Sequence, residues 1–152
     1  MTRQDFEALE EFTVSKITAL TLQQRQELLH LFVDADFVLP DEGSDWLDSA
    51  IRGSLLAAGV FTASGELIGF ARALGDGVSD CYIQDVTIRR DFRQLGLGSK
   101  LMDFMLTALA EQNIDWVGLI ATPGKADFYR QLGFEVLENH TPMILKRSSV
   151  QQ

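Results

Sequence analysis

Residues Arg93-Gln94-Leu95-Gly96-Leu97-Gly98 stand between a β-rich run ending at Ile88 and a helical repeat beginning near Leu97. Glycines at a helix start let backbone N–H groups approach a ligand with no Cβ in the way. The unpaired N–H groups and the helix dipole of such a turn favour an anion, and a diphosphate is the natural guest. A dinucleotide-binding turn would want a third small residue at Leu101, and the longer G-x-x-x-x-G-K-[ST] spacing of a P-loop is absent. By spacing alone the turn is equally a glycine-eased entry to an ordinary helix. Asp85 on the preceding run and Tyr129 further on carry a carboxyl and a phenol, groups able to exchange a proton, whereas the amide of Gln84 cannot accept one. Each also has a plain structural reading, as a loop hydrogen bond for Asp85 and a packed core tyrosine for Tyr129. His30 and His140 lack partners at metal-ligand spacing, so no metal is expected.

The 152-residue length fits one domain over 1–152, and 46% hydrophobic residues can build a core. Cys81 is the single cysteine, which rules out an internal disulfide and makes the cytoplasm the default compartment. No apolar run reaches the ~20 residues of a membrane span, and Met1 to Asp5 lacks the order of a signal peptide. A soluble chain with no membrane partner is expected. The net charge of −9 argues against nucleic acid, whose phosphates need a basic face. Residues 1–80 carry 14 acidic and 5 basic side chains, whereas residues 81–152 carry 8 of each. An acidic wall for a cationic substrate beside a neutral region for an anionic one would explain that division, and so would a solvated acidic surface.

The elements that must position these residues follow from periodicity. Phe12 to Thr18 alternates as a first strand. Thr21-Leu22-Gln23-Gln24 fits a capping box, and Leu22, Leu28, Leu29, Phe32 and Val33 give a helical face running to about Ala35. A short helix spans about Asp45 to Arg52. Leu56 to Thr62, Leu67 to Leu74 and Tyr82 to Ile88 form a meander with turns at residues 63–66 and 75–77. Leu97, Leu101, Phe104, Met105 and Ala108 mark a long helix ending near Asn113. A strand at Trp116 to Ala121, a short helix at Lys125 to Gln131, and strands at Phe134 to Leu137 and Met143 to Lys146 complete the chain. The strand, long helix and strand in the middle imply a parallel crossover, so the sheet is mixed and flanked by helices, an α/β (α+β) class.

With the order of elements in place, Arg93-Gln94-Leu95-Gly96-Leu97-Gly98 resembles the Arg/Gln-x-x-Gly-x-Gly/Ala signature of the GNAT superfamily of N-acetyltransferases. Ala126-Asp127-Phe128-Tyr129-Arg130-Gln131-Leu132-Gly133-Phe134 resembles the family's later A-x-x-x-Y-x-x-x-G-F element, and the likeness extends over about residues 14–146. The resemblance implies a mostly antiparallel seven-stranded sheet with about four helices, in which strands 4 and 5 splay apart. It implies acetyl-coenzyme A as co-substrate. The backbone of Gln94, Leu95, Gly96, Leu97, Gly98 and Ser99, beside Arg93, would hold the pyrophosphate. Val86 and Ile88 would pair with the pantetheine arm. Arg90, Arg93 and Lys125 are candidate phosphate contacts, each otherwise a surface charge. Tyr129 is implied as the proton donor to the leaving thiolate. Two departures stand out. Gln84 occupies a position where many members carry a glutamate base, which leaves Asp85 on a bulge, a water path or an acid of the 34–48 stretch. Ala121-Thr122-Pro123-Gly124-Lys125 lacks the asparagine common there, and Thr122 would supply the polar contact.

The acceptor side, by the same resemblance, lies at the first two helices, where Phe32, Phe37 and Trp46 mix with carboxylates. Phe37, Trp46 and Gln84 are the candidate substrate contacts, suited to a primary amine on an apolar or aromatic body. The three aromatics serve equally as core anchors of the helices. The stretches 82–86 and 121–125 look similar to short bacterial and plastid members, some of them linked to arylalkylamines. The expected reaction is direct acetyl transfer to a small-molecule amine in a ternary complex, because Cys81 stands at a strand start away from any base. The alternatives are a silent coenzyme-A-binding regulator, which Gln84 favours, and a protein N-terminal or lysine acetyltransferase. A homodimer is common among similar proteins and stays open.

Overall fold

The computed structural model describes residues 11–147, in two compact units that divide after Leu119. The first unit carries β1 (Thr13–Lys16), α1 (Leu22–Asp34), α2 (Trp46–Arg52), β2 (Leu56–Phe61), β3 (Leu67–Gly75), β4 (Asp80–Ile88), α3 (Leu97–Glu111) and β5 (Trp116–Leu119). A 3₁₀ turn at Arg90–Phe92 precedes α3. The second unit carries α4 (Ala126–Gln131).

One sheet runs in the order β1-β2-β3-β4-β5, antiparallel through β4, with β5 parallel to β4. The parallel pair is the crossover that the long helix implied, since adjacent parallel strands need a connecting helix. The α1 start is the capping box read from sequence. Thr21 Oγ1 accepts from Gln24 N–H, and Gln24 Oε1 accepts from Thr21 N–H, both at 3.1 Å. Its buried face is Leu28, Leu31 and Phe32; Leu31 lies outside the face given by periodicity, and Leu22, within that face, is 75% exposed. Position 22 lies in the first turn, ahead of the stretch of helix that crosses the sheet.

Leu28, Leu31 and Phe32 join Leu47 and Ile51 of α2 and Ala57, Leu67 and Phe70 of the sheet in one core cluster. Phe32 is at its centre, with ring centroids 5.6 Å from Phe70 and 5.9 Å from Trp46. Truncating such a ring costs about 3–5 kcal/mol. The other side of β2 and β3 is closed by α3 through Leu97, Leu101, Met102, Met105 and Leu109, all buried. With both faces covered, β2 and β3 are buried almost throughout and read as apolar runs, broken in β3 by Arg72.

The sheet has five strands among the described residues, not seven. Residues 134–147 hold no strand. A strand exists only by pairing, and two short runs alone make at best a marginal hairpin. Here their backbone bond is the turn contact from His140 N–H to Leu137 O at 3.4 Å, and Val136, Leu137, Met143, Ile144 and Leu145 are exposed. No helix among the described residues is long and apolar enough to cross a membrane.

The β3–β4 connection is held by one carboxylate. Asp76 Oδ1 accepts from the N–H groups of Val78, Ser79 and Asp80 at 2.8, 2.9 and 3.2 Å. These backbone bonds, that of Ser79 foremost, pull its pKa from 3.8 to about 2. A carboxylate depressed on folding adds stability above its unfolded pKa and loses it as pH falls through the folded value. Asp76→Ala should therefore melt a few degrees below the wild type at pH 7. The gap in Tm should narrow as the pH is taken from about 4 towards 2. A gap independent of pH would mean that the carboxylate charge contributes nothing.

Candidate active site

The glycine turn is built on a braced approach. Arg89 N–H donates to Ile68 O at 2.8 Å, fixing the end of β4 to β3. The Arg89 guanidinium binds Asp91 at 2.8 Å, forms an ion pair with Glu66, and lies 4.6 Å above the Phe92 ring. Phe92 meets Phe12 edge to face at 5.6 Å, and Lys100 Nζ donates to Phe12 O at 2.9 Å. The turn is thus anchored to the β2–β3 hairpin on one side and to the approach to β1 on the other.

Within the turn, Gln94 and Gly96 both adopt left-handed backbone, with φ of 64° and 76°. Nothing lies within 4 Å of a Cβ built on Gly96, so conformation rather than space demands glycine there. The first satisfied donor of α3 is Lys100, whose N–H reaches Gly96 O at 3.1 Å. The six N–H groups from Gln94 to Ser99 have no partner among the described residues. Left-handed residues interleaved in such a run fold the donors into an anion-binding concavity, and the α3 dipole adds to it. Arg93 uses Nε on Ile88 O at 2.9 Å and keeps its terminal nitrogens for other partners. Arg90 reaches Asp34 O at 3.4 Å. The residues present therefore fit the pyrophosphate of coenzyme A.

β4 departs from regularity immediately upstream. Arg72 pairs with Gln84 and Phe70 with Thr87, so three steps on β4 match two on β3. The extra residue is a bulge, and Asp85 sits in it at φ 59°. In a regular strand Gln84 and Asp85 would point to opposite faces. Here Arg72, the register partner of Gln84, donates Nε to Asp85 Oδ2 at 2.6 Å, and Gln84 Nε2 approaches the same oxygen at 3.5 Å. Arg72 also reaches Ala50 O in α2 at 3.5 Å, which places the cluster on the α1–α2 face. β5 pairs with β4 only over Asp80 to Ile83. From Gln84 to Ile88, backbone groups facing away from β3 have no strand partner among the described residues. That is the gap a pantetheine arm would need, with Val86 in it. The acceptor at Ile88 is already taken by Arg93.

On the same face, Phe37 packs edge to face on Phe32 at 5.8 Å and stays 37% exposed. Trp46 stacks on Phe32 and donates Nε1 to Gly43 O at 2.8 Å, so it anchors the loop while remaining half-buried. Cys81 is 3% exposed, and burial first, then Asp76 and Asp80, pushes its thiol up. A buried, protonated thiol is a poor nucleophile. No group of three metal-binding side chains occurs among the described residues.

In the second unit, Lys125 N–H donates to Thr122 O at 3.0 Å and Gly124 takes φ 81°, which turns the chain into α4. The helix ends in a Schellman motif: Phe134 N–H donates to Tyr129 O at 3.1 Å and Gly133 N–H to Arg130 O at 3.0 Å. Gly133 is left-handed at φ 98°. The Phe134 ring packs 5.8 Å from that of Tyr129, with Phe128 at 5.0 Å. The Tyr-x-x-x-Gly-Phe spacing is therefore a capped helix end that fixes the tyrosine. Arg72 escaped the sequence reading, although a lone cation inside the apolar run Leu67-Ile68-Gly69-Phe70-Ala71-Arg72-Ala73-Leu74 was the signal for it.

Comparison with known proteins agrees with this geometry. A ycf52-like uncharacterised N-acetyltransferase of Prochlorococcus marinus is 40% identical over 88 residues, 56% of this chain and 49% of that protein. Serotonin N-acetyltransferase 2, chloroplastic, of Oryza sativa is 36% identical over 73 residues, 48% of this chain and 36% of that protein. The chain thus spans about half the length, or less, of these relatives. A GNAT-family acetyltransferase structure from Streptococcus pneumoniae superposes with a TM-score of 0.70 at 26% identity, over 91% of this chain and 99% of that one. The acetyltransferase (GNAT) domain model matches residues 57–136, from β2 through the bulge, the glycine turn and the capped helix. On that match, the chain belongs to the GNAT acetyltransferase family.

Proposed function

We propose that this protein transfers the acetyl group of acetyl-coenzyme A to the primary amine of a small molecule, by direct attack in a ternary complex. The observation that carries this reading is the run of six unpartnered N–H groups from Gln94 to Ser99, opening on the strand whose far half is free of β5. Bound there, acetyl-coenzyme A supplies an activated acetyl thioester. Arg93 and Lys125 supply charge to its phosphates, and a β4 N–H near Val86 polarises the carbonyl as a fixed dipole. The acceptor's ammonium gives a proton to Asp85, the amine nitrogen bonds to the acetyl carbon, and the C–S bond breaks. The thiolate takes the phenolic proton of Tyr129, which the second proton of the acceptor nitrogen restores; the proton on Asp85 returns to solvent.

An amine on an aromatic body suits the exposed edge of Phe37, the Trp46 loop and Gln84, and it agrees with the rice relative's name. Binding of coenzyme A without transfer is the second reading, and Gln84, at a position where many members carry a glutamate base, favours it. Thiol release across an amine panel separates the two. Tight cofactor binding with no release from any amine would replace the first reading by the second.

Three variants test the assignments. Tyr129→Phe should lower kcat about 100-fold with the acetyl-coenzyme A KM unchanged, the size expected for a lost proton donor. Cys81→Ala should keep kcat within about twofold, since a buried thiol takes no part; a trapped acetyl-enzyme would overturn direct attack. Gly96→Val forces a branched residue into left-handed backbone at a cost of about 1–2 kcal/mol. It should raise the KM for acetyl-coenzyme A about tenfold, and an unchanged KM would remove the pyrophosphate from this turn.

A further inference from the structure

We infer that Arg72 is a positioning residue for acetyl transfer, acting through Asp85; this rests on the transfer reading above. Asp85 is carried by a left-handed residue in a bulge, where its carboxylate would otherwise swing freely about its side-chain torsions. Arg72 Nε at 2.6 Å and Gln84 Nε2 at 3.5 Å both converge on Oδ2. Oδ1 has no partner among the described residues, and the Asp85 side chain keeps 19% exposure. Held by one oxygen, the carboxylate presents the lone pairs of the other in a fixed direction. That direction lies on the α1–α2 face, because Arg72 is tied to Ala50 O of α2.

The arrangement sets what the acceptor can be. A monoamine needs one acceptor oxygen for its N–H, and Oδ1 supplies it. A second cation competing for Oδ2 would have to displace Arg72, whose side chain is 14% exposed and whose guanidinium is already aligned. The site is therefore built for a single ammonium rather than a closely spaced diamine. Gln84 has a role in this clamp that a glutamate could not fill, since it donates towards Oδ2 where a carboxylate would repel.

The experiment compares wild type, Arg72→Gln, Arg72→Lys, Asp85→Asn and the Arg72→Gln/Asp85→Asn double variant, with tryptamine as acceptor. Arg72→Gln should lower kcat about tenfold and leave the acetyl-coenzyme A KM unchanged, and Arg72→Lys should recover part of the loss. In the Asp85→Asn background the Arg72 change should cost nothing more, because its effect passes through that carboxylate. An equal loss in both backgrounds, or a loss that only follows Tm, would overturn the proposal. The clamp has a second readout that needs no turnover. The Arg72 Nε–H resonance should exchange slowly with solvent in the wild type and quickly in Asp85→Asn; fast exchange in both would overturn it. A wild type inert to every amine defeats the transfer reading, and the exchange measurement still decides the clamp.

Discussion

One inserted residue in β4 is the constraint on which the site depends. A regular strand would send Gln84 and Asp85 to opposite faces of the sheet. The bulge lets Asp85 meet Arg72, the register partner of Gln84, on the face covered by α1 and α2. Bulges also bend and twist a strand, and β5 leaves β4 at Ile83, just before the irregularity. The polar cluster and the unpaired half of β4 thus begin at the same place in the chain. Asp at the left-handed position is chemically apt, because a short polar side chain tolerates that backbone better than a branched one.

The glycine turn solves a different problem, which is to keep donors pointing outward without collapse. Six adjacent unsatisfied N–H groups are tolerable only where water or an anion reaches them. Their spacing must nevertheless be kept against the flexibility that glycine brings. The bracing at Arg89 meets that need from outside. Its side chain joins Glu66 of the hairpin, Asp91 of the 3₁₀ turn and the Phe92 ring. The donors are left open while the residues leading to them are fixed by ion pairs and ring contacts.

Much of this was legible in the sequence where a local rule governs it. Thr21 and Gln24 read as a capping box and form one. Gly96 reads as the glycine-eased start of a helix and stands at one, with φ 76°. The meander, the long helix and the parallel strand after it appear in order, with ends shifted by a few residues. What the sequence hid was set by tertiary pairing. The left-handed state of Gln94 has no residue-type signal, whereas the bulge at Asp85 is one of the alternatives that Gln84 opens, and a short polar residue suits it. Arg72 gains its meaning only from the register that places it opposite Gln84. Residues 134–146 have the composition of strands, and composition does not supply a partner.

The charge asymmetry takes on a sharper meaning from these positions. Residues 1–80 carry the whole net charge of −9. Part of that acid is spent internally: Asp48 on Arg25, Glu66 on Arg89, and Asp76 on its own turn. The loop from Asp34 to Asp45 keeps Asp36, Asp41 and Asp45 without an ion-pair partner among the described residues, beside the exposed edge of Phe37. At physiological salt the field of such charges reaches about 8 Å, enough to favour a cation beside that loop and to oppose an anion brought near it. The anion must then be held by short-range donors, and the N–H groups of 94–99 with Arg93 are of that kind. On the proposed reaction, a long-range field for the acceptor and contact-range dipoles for the cofactor would let one small acidic chain accommodate two ligands of opposite charge.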